Sequence, residues 1–179
     1  MSASRRIALV ALLASAALAA GCGWRAGMPV PTGTRTIAIG FAQNDTRLPE
    51  VEVDLTNALH RAALDRLDLA ISDGSADLLL EARIVDLRRR GGVRSEDARL
   101  LEAGATFVIE ADLVDGSSGA VLGTTTRRLT SGYVVGTAES PATSPDEPAA
   151  RARLLDNLAD GVVLDLFAPL SYNRAADPG

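Results

Sequence analysis

Phe107-Val108-Ile109-Glu110-Ala111-Asp112-Leu113-Val114-Asp115-Gly116-Ser117-Ser118-Gly119-Ala120-Val121-Leu122 is the stretch on which the fold turns. Phe107, Ile109, Ala111 and Leu113 recur at every second position, with Glu110 and Asp112 between them. Successive side chains of a strand point to opposite faces, so this pattern is a strand with one apolar row. Asp115 to Gly119 is a run of turn formers, and apolar residues resume at Val121. A short loop between two strand patterns marks a hairpin. The return strand is predicted from Val121 towards Val135. Its polar, β-branched middle, Thr124 to Thr130, suits a half-exposed sheet.

Outward from the hairpin, residues 77–87 alternate in the same way. Leu78, Leu80, Ala82 and Ile84 share one face; Leu79, Glu81, Arg83 and Val85 share the other. Arg88 to Arg99 is charged and contains glycine, which fits a strand extension or a loop. Thr36 to Phe41 alternates and reads as a strand, followed by a polar, turn-like stretch from Ala42 to Leu48. A helix is predicted from Pro49 to Arg66, with Pro49 at its first position and Glu50, Glu52 and Asp54 at the positive end of its dipole. Val51, Leu55, Ala58, Leu59 and Ala62 form its apolar face. Leu67 to Ile71 fits a short strand, and Ser72 to Ser75 a turn.

Residues 137–146, with Pro141 and Pro145, are expected to be a loop. Ser144 and Glu147 have capping-box spacing around Pro145. The helix that follows carries Leu154, Leu155, Leu158, Val162 and Leu166 on one face and is expected to end at Pro169. Residues 169–179 are expected to be a disordered tail. The order is strand, helix, four strands, helix. The expected class is α+β: two helices packed on one face of a mixed, roughly four-stranded sheet. The opposite, more polar face must meet water or a partner.

The N-terminal segment carries a different kind of information. Arg5 and Arg6 precede an apolar, alanine-rich run from Ile7 to Ala20, and small residues lead to Cys22, the only cysteine. A basic start, a short apolar stretch and small residues before a cut make a secretory signal. The run is about 14 residues, short of the roughly 20 that span a bilayer as a helix. Ala19-Ala20-Gly21-Cys22 resembles a bacterial lipoprotein box, which is cut before a cysteine that takes diacylglycerol. An ordinary secreted protein with a cysteine near the cut is the plainer alternative. No disulfide can form within a chain holding one cysteine. Two or three acyl chains hold a protein firmly, because each buried CH₂ contributes about 0.8 kcal/mol. Gly23 follows Cys22, in place of the aspartate associated with inner-membrane retention, so the outer membrane is the expected destination.

Removing residues 1–21 from the 179 leaves 158, enough for one domain with a real core. Losing Arg5 and Arg6 moves the formal charge from −5 to −7, which does not favour nucleic acid. Residues 22–35 hold Cys22 and a Gly/Pro-rich tether, and 36–168 form the expected single domain. The thirteen residues of the tether reach at most about 45 Å.

Several stretches together resemble the LptE family of lipopolysaccharide-assembly lipoproteins. They are Cys22-Gly23-Trp24 with its tether, Thr36-Ile37-Ala38-Ile39 leading to Phe41 and Asn44-Asp45-Thr46, Leu55-Thr56-Asn57-Ala58-Leu59, and Ala76 to Ile84. The hairpin around Asp115 to Gly119 and the helix around Leu158 to Val163 complete the set. Two positions depart from the family pattern: Gly123 stands where an aromatic is usual, and Ala82 replaces a typical nearby glycine. The resemblance implies a plug and assembly partner of the outer-membrane barrel LptD that contacts lipopolysaccharide. It implies no enzyme activity and no cofactor. An alternative is a periplasmic lipoprotein that activates a peptidoglycan synthase. Such proteins also carry Phe-x-Asn-x-Thr stretches but work through long tethers, and the tether here is short.

Catalytic chemistry is scarce. His60 is the only histidine, it is expected to be solvated, and no G-x-S-x-G elbow presents a serine. A zinc site would have to rely on carboxylates. Arg88, Arg89, Arg90 and Arg94 are the candidate lipopolysaccharide contact, since arginine forks match the phosphates of lipid A. The same run also suits a solvated strand end that keeps a sheet edge from pairing. Arg127 and Arg128 lie on the strand expected to pair nearby. Replacing Cys22 by serine is expected to leave the protein soluble in the periplasm, as cell fractionation would measure; continued membrane fractionation at native expression would overturn lipid as the main anchor.

Overall fold

The computed structural model describes residues 28, 30–91, 96, 102–134 and 146–175. The signal segment, Cys22, most of the tether, Arg94, Ser144, Pro145 and residues 176–179 lie outside them. Along the chain run β1 (Thr36–Ile39), β2 (Gln43–Asn44), α1 (Val51–Arg66), β3 (Ala70–Ile71), β4 (Leu78–Gly91), β5 (Glu102–Asp115), β6 (Val121–Val134) and α2 (Asp146–Ala175). The class is α+β. Two helices pack on one mixed sheet of order β3-β1-β4-β5-β6, with β2 also paired to β4. β1 is parallel to β3 and β4, whereas β4, β5 and β6 are antiparallel. The sheet has six strands where roughly four were expected. β3 falls within the short strand expected over Leu67 to Ile71, whereas β2, two residues long, is too short to show a period and exists by pairing with β4.

The core follows the alternation. Leu78, Leu80, Ala82 and Ile84 of β4 are buried, as are Phe107, Ile109, Ala111 and Leu113 of β5. They meet Leu55, Ala58, Leu59 and Ala62 of α1 and Leu154, Leu155, Leu158, Val162 and Leu166 of α2. Burying one such aliphatic side chain contributes about 1.5–3 kcal/mol, which is why the period-two and period-3.6 rows face each other.

Two helix ends differ from expectation. Pro49 is not the first helical residue. Glu50 has a φ of 70° at the N-cap, a left-handed turn that separates Pro49 from α1, which begins at Val51. Upstream, the Asn44 side chain holds the turn: its Nδ2 donates to the Leu48 carbonyl (2.8 Å) and to Glu52 (2.7 Å), and its Oδ1 accepts from the Thr46 N–H (2.9 Å). The expected plain turn from Ala42 to Leu48 is thus a short strand leading into an asparagine-centred loop. At the other end, Pro169 does not stop α2, which runs on to Ala175, through part of the expected tail. Proline lacks the N–H that the Asp165 carbonyl would accept. Ala168 and Pro169 are exposed, so water can replace that donor, while Leu170 beyond them packs against the core.

The helices run parallel, side by side. Asp54 pairs with Arg151 (3.1 Å), Arg61 with Asp156 (2.6 Å) and Arg66 with Asp160 (2.9 Å), so partners rise together along both helices. Both helices therefore start at one end of the sheet and finish at the other. At the finishing end, Asp77 locks the sheet. Its Oδ2 accepts from the Arg35 N–H (2.8 Å), the Thr36 N–H (3.0 Å) and the Thr36 hydroxyl (3.0 Å), and its carbonyl accepts from the Gly116 N–H (2.9 Å). These bonds, the Arg35 amide first, hold the Asp77 carboxyl below its usual range.

A Cβ on Gly116 would overlap the Ala76 carbonyl oxygen. Gly116→Ala is therefore expected to cost about 1–3 kcal/mol, the scale of an overpacked site, measured as a lowered urea midpoint. An unchanged midpoint would show that the turn relaxes freely.

Candidate functional site

One irregularity in β4 distributes the arginines. Ile84 pairs with Ile109, but Asp86 pairs with Val108, so Val85 is an extra residue. A bulge of this kind reverses which residues of the strand face the core. Before it, even-numbered residues point to the helices; after it, Leu87 and Arg89 do, and Asp86 and Arg88 turn to the open face. The expected cluster is thereby divided. Arg88 lies on the open face and pairs with Asp86 (2.8 Å). Arg89 lies on the helix side. Arg90 holds its place in register with Gly104, and Arg94 lies outside the described residues.

Arg89 lines a cleft between the starting end of α2 and the sheet, along with Leu48, Leu87, Phe107, Leu154 and Arg151. The cleft is small, with a cavity volume of about 20 Å³, and it opens to solvent. Its walls are mainly aliphatic, with two guanidinium groups among them. The first turns of α2 contribute Ala150 and Arg151 here. A helix N-terminus carries partial positive charge, so this end of the domain favours anions.

The open face is a ladder of polar pairs. Arg83 pairs with Glu110 (2.6 Å) and with Asp45 (3.6 Å); Thr124 donates to Asp112 (2.6 Å); Thr106 and Thr130 share a hydrogen bond (2.8 Å). The Glu110 bond holds the Arg83 guanidinium above its usual range. A shallow depression over Gln43, Glu81, Arg83, Glu110 and Asp112 opens on this face.

Arg127 is not available to a ligand. Its Nε and Nη2 donate to both oxygens of Asp165 (2.5 and 2.6 Å), and Thr125 donates to the same carboxylate (2.9 Å). The guanidinium lies across Gly161, where a Cβ would stand 2.9 Å from it. Sequence reasoning placed Arg127 with the anion cluster and missed this clamp between β6 and α2. The spacing Gly161 to Asp165, one helical turn, is the signal that was present. Arg128, one residue on, is exposed. His60 is half-buried on α1, not fully solvated. Among the described residues no group of three or more metal-ligating side chains exists. Gly123, where the family has an aromatic, sits over Leu166, and Ala82 is buried under the helices.

This geometry defines a class: a small α+β domain with parallel helices on a mixed sheet, an open polar face and an arginine-lined apolar cleft. The LptE family, lipopolysaccharide-assembly, matches residues 34–166, and the chain belongs to it. No curated protein matches the chain in sequence. Among solved structures, lipoprotein B of Nitrosomonas europaea is similar at 16% identity and a TM-score of 0.56, covering 85% of this chain and 93% of its own. A Xanthomonas campestris protein is similar at 13% identity and a TM-score of 0.51, covering 84% and 94%. The rare lipoprotein B of Shewanella oneidensis has 12% identity and a TM-score of 0.49, covering 79% and 99%. At these identities the first two matches show a shared fold.

The Arg127 clamp holds the Asp165 carboxyl below its usual range, so the pair contributes stability above the unfolded carboxyl pKa and loses it as pH falls through the folded value. Both side chains are more than a third exposed, which limits the contribution to about 0–1 kcal/mol. Asp165→Asn is expected to lower the thermal midpoint at neutral pH, and the difference from the parent to shrink only below about pH 4, vanishing once the carboxyl is protonated in the folded protein. A difference independent of pH would rule out the ion pair as its source.

Proposed function

We propose that the protein is an outer-membrane lipoprotein, held on the periplasmic side by lipid on Cys22, that serves as plug and assembly partner of an LptD-type barrel. In this reading it contacts lipopolysaccharide on its way to the outer leaflet and carries out no catalysis. Residues 1–21 are removed, 22–35 anchor and tether, and the domain from 36 onward does the work. The observation that carries the ligand part is the cleft at the starting end of the helices. It offers aliphatic walls beside Arg89, with Arg151 paired to Asp54 at its rim, and Arg88 stands on the other face of the same strand. Lipopolysaccharide combines acyl chains with phosphates, and both chemistries are met there. The open polar face supports the barrel part, because the interior of an outer-membrane barrel is polar and the ladder of charges fits such a wall.

Tagged full-length protein drawn from detergent-solubilised outer membranes is expected to bring down a large β-barrel as its main partner; a peptidoglycan synthase in its place would reassign the protein. Arg88→Ser and Arg89→Ser are each expected to weaken lipopolysaccharide binding about two- to fivefold, the scale of an exposed charge pair, with unchanged thermal midpoints. Unaltered binding in both would remove β4 from the contact.

A further inference from the structure

The tether is shorter than its sequence implies. The Met28 N–H donates to the Arg66 carbonyl (2.7 Å), and Met28 forms a parallel bridge with Leu67. Met28 and Val30 both pack against the core. Met28 and residues 30–35 therefore lie along the domain, and only residues 23–27 separate Met28 from Cys22 in sequence. Six Cα steps span at most about 22 Å.

The strap leads directly to one end of the sheet. The Ala70 N–H donates to the Arg35 carbonyl (2.9 Å), the Arg35 and Thr36 amides bind Asp77, and Asp77 binds the Gly116 amide of the β5–β6 turn. The turn and the strap thus share an end. β1 and β6 are three strand spacings apart, about 15 Å. Across this end the open face carries an apolar row: Ala38 beside Leu79, Leu79 beside Val114, Val114 beside Val121. The next rows inward, Glu81-Asp112-Thr124 and Arg83-Glu110-Thr126, are polar. Register shifts again beyond this row, since Leu113 pairs with Gly123 and Val114 with Val121, which leaves Leu122 as an extra residue. Val121 is 60% exposed and Leu122 41%.

We propose that, before the domain is seated in a barrel, this end rests on the bilayer that holds the Cys22 lipid, with Val121 and Leu122 entering the headgroup layer. The inference rests on lipidation of Cys22. The short tether selects the bilayer as the occupant, because Met28, on this end of the domain, can lie no more than about 22 Å from the anchored sulfur. Beside the hairpin, Asp77 and Asp115 are spent in internal bonds, while Asp68 and Asp73 lie towards the opposite, β3 edge of this end. Asp77 is bonded to Arg35 and Thr36, and Asp115 Oδ1 accepts four bonds from the amides and hydroxyls of Ser117 and Ser118. Arg88 stands ten residues along β4 from Leu78, so the arginine end lies about 33 Å from the contact.

Cys22, once lipidated, leaves no free thiol in the chain, so an introduced cysteine takes a fluorophore alone. Lipidated full-length Leu122→Cys, Val121→Cys and Arg88→Cys proteins would be labelled and placed in phosphatidylethanolamine–phosphatidylglycerol vesicles containing headgroup-nitroxide lipid. Quenching at 122 and 121 is expected to exceed that at 88 by at least about twofold, as for side chains seated some 5–10 Å into the interface. Equal quenching at all three positions overturns the proposal, as does quenching that arises only after a purified barrel is added. Two hairpin positions are used, with thermal midpoints compared to the parent, so that one damaged variant does not decide the result. Mass spectrometry separates the two readings: intact lipid without quenching defeats the bilayer contact alone, and absence of the lipid mass defeats the anchor and the contact together.

Discussion

One extra residue in β4 governs what the two faces of the sheet can do. A strand keeps strict alternation, so without a bulge Arg88 and Arg90 would continue the buried row begun by Leu78, Leu80, Ala82 and Ile84. A buried, unpaired guanidinium costs several kcal/mol. Val85 shifts the phase by one, and Leu87 takes over the core side while Asp86 and Arg88 turn outwards. The cost is local disruption of the ladder; the result is a 14-residue strand whose second half still buries an aliphatic residue. The cleft containing Arg89 exists because the same shift aims that side chain towards the helices.

The second constraint lies between layers. Parallel helices on a sheet need their approach fixed, and here the polar contacts at the layer edges do it. Three ion pairs set the axial position of α1 against α2, and the Arg127–Asp165 fork sets α2 against β6. Each is surface-exposed and weak singly. Their value is in register: the paired charges match in one arrangement, the same one that the packed core requires. Gly161 lets the guanidinium lie flat against the helix, which a larger residue would obstruct.

These constraints give the domain two chemically different ends. At one, both helices begin and aliphatic walls meet arginine. At the other, the strap, Asp77 and the β5–β6 turn are knit together by the Asp77 carboxylate and by backbone hydrogen bonds, and a single apolar row crosses the open face. In the proposed lipid-anchored form, the strap end would be the one held near the membrane and the arginine end the one presented to a partner.

Much was legible in the chain because burial imposes periodicity. The row Phe107-Ile109-Ala111-Leu113, the turn at Asp115 to Gly119, the helical repeats and the α+β class all follow from which positions must leave water, and local patterning records that. The lipoprotein-box reading of Cys22 and the resemblance to LptE likewise rest on local sequence. Other features depended on partners distant in the chain. Nothing near Val85 announces a bulge, because its register is set against Ile109 and Val108. Arg127 became a clamp instead of a ligand contact through Asp165, 38 positions away. Pro169, a stop signal by propensity, is carried within α2, where exposure tolerates its missing hydrogen bond and Leu170 finds the core. Met28 looked like tether until its amide met Arg66. The sequence by itself determined which faces are apolar, since that is a property of each residue and its near neighbours. Only the tertiary structure decided which charges are used up in pairs and that Met28 and Val30 lie against the domain, since both are settled by contacts between segments that the sequence holds apart.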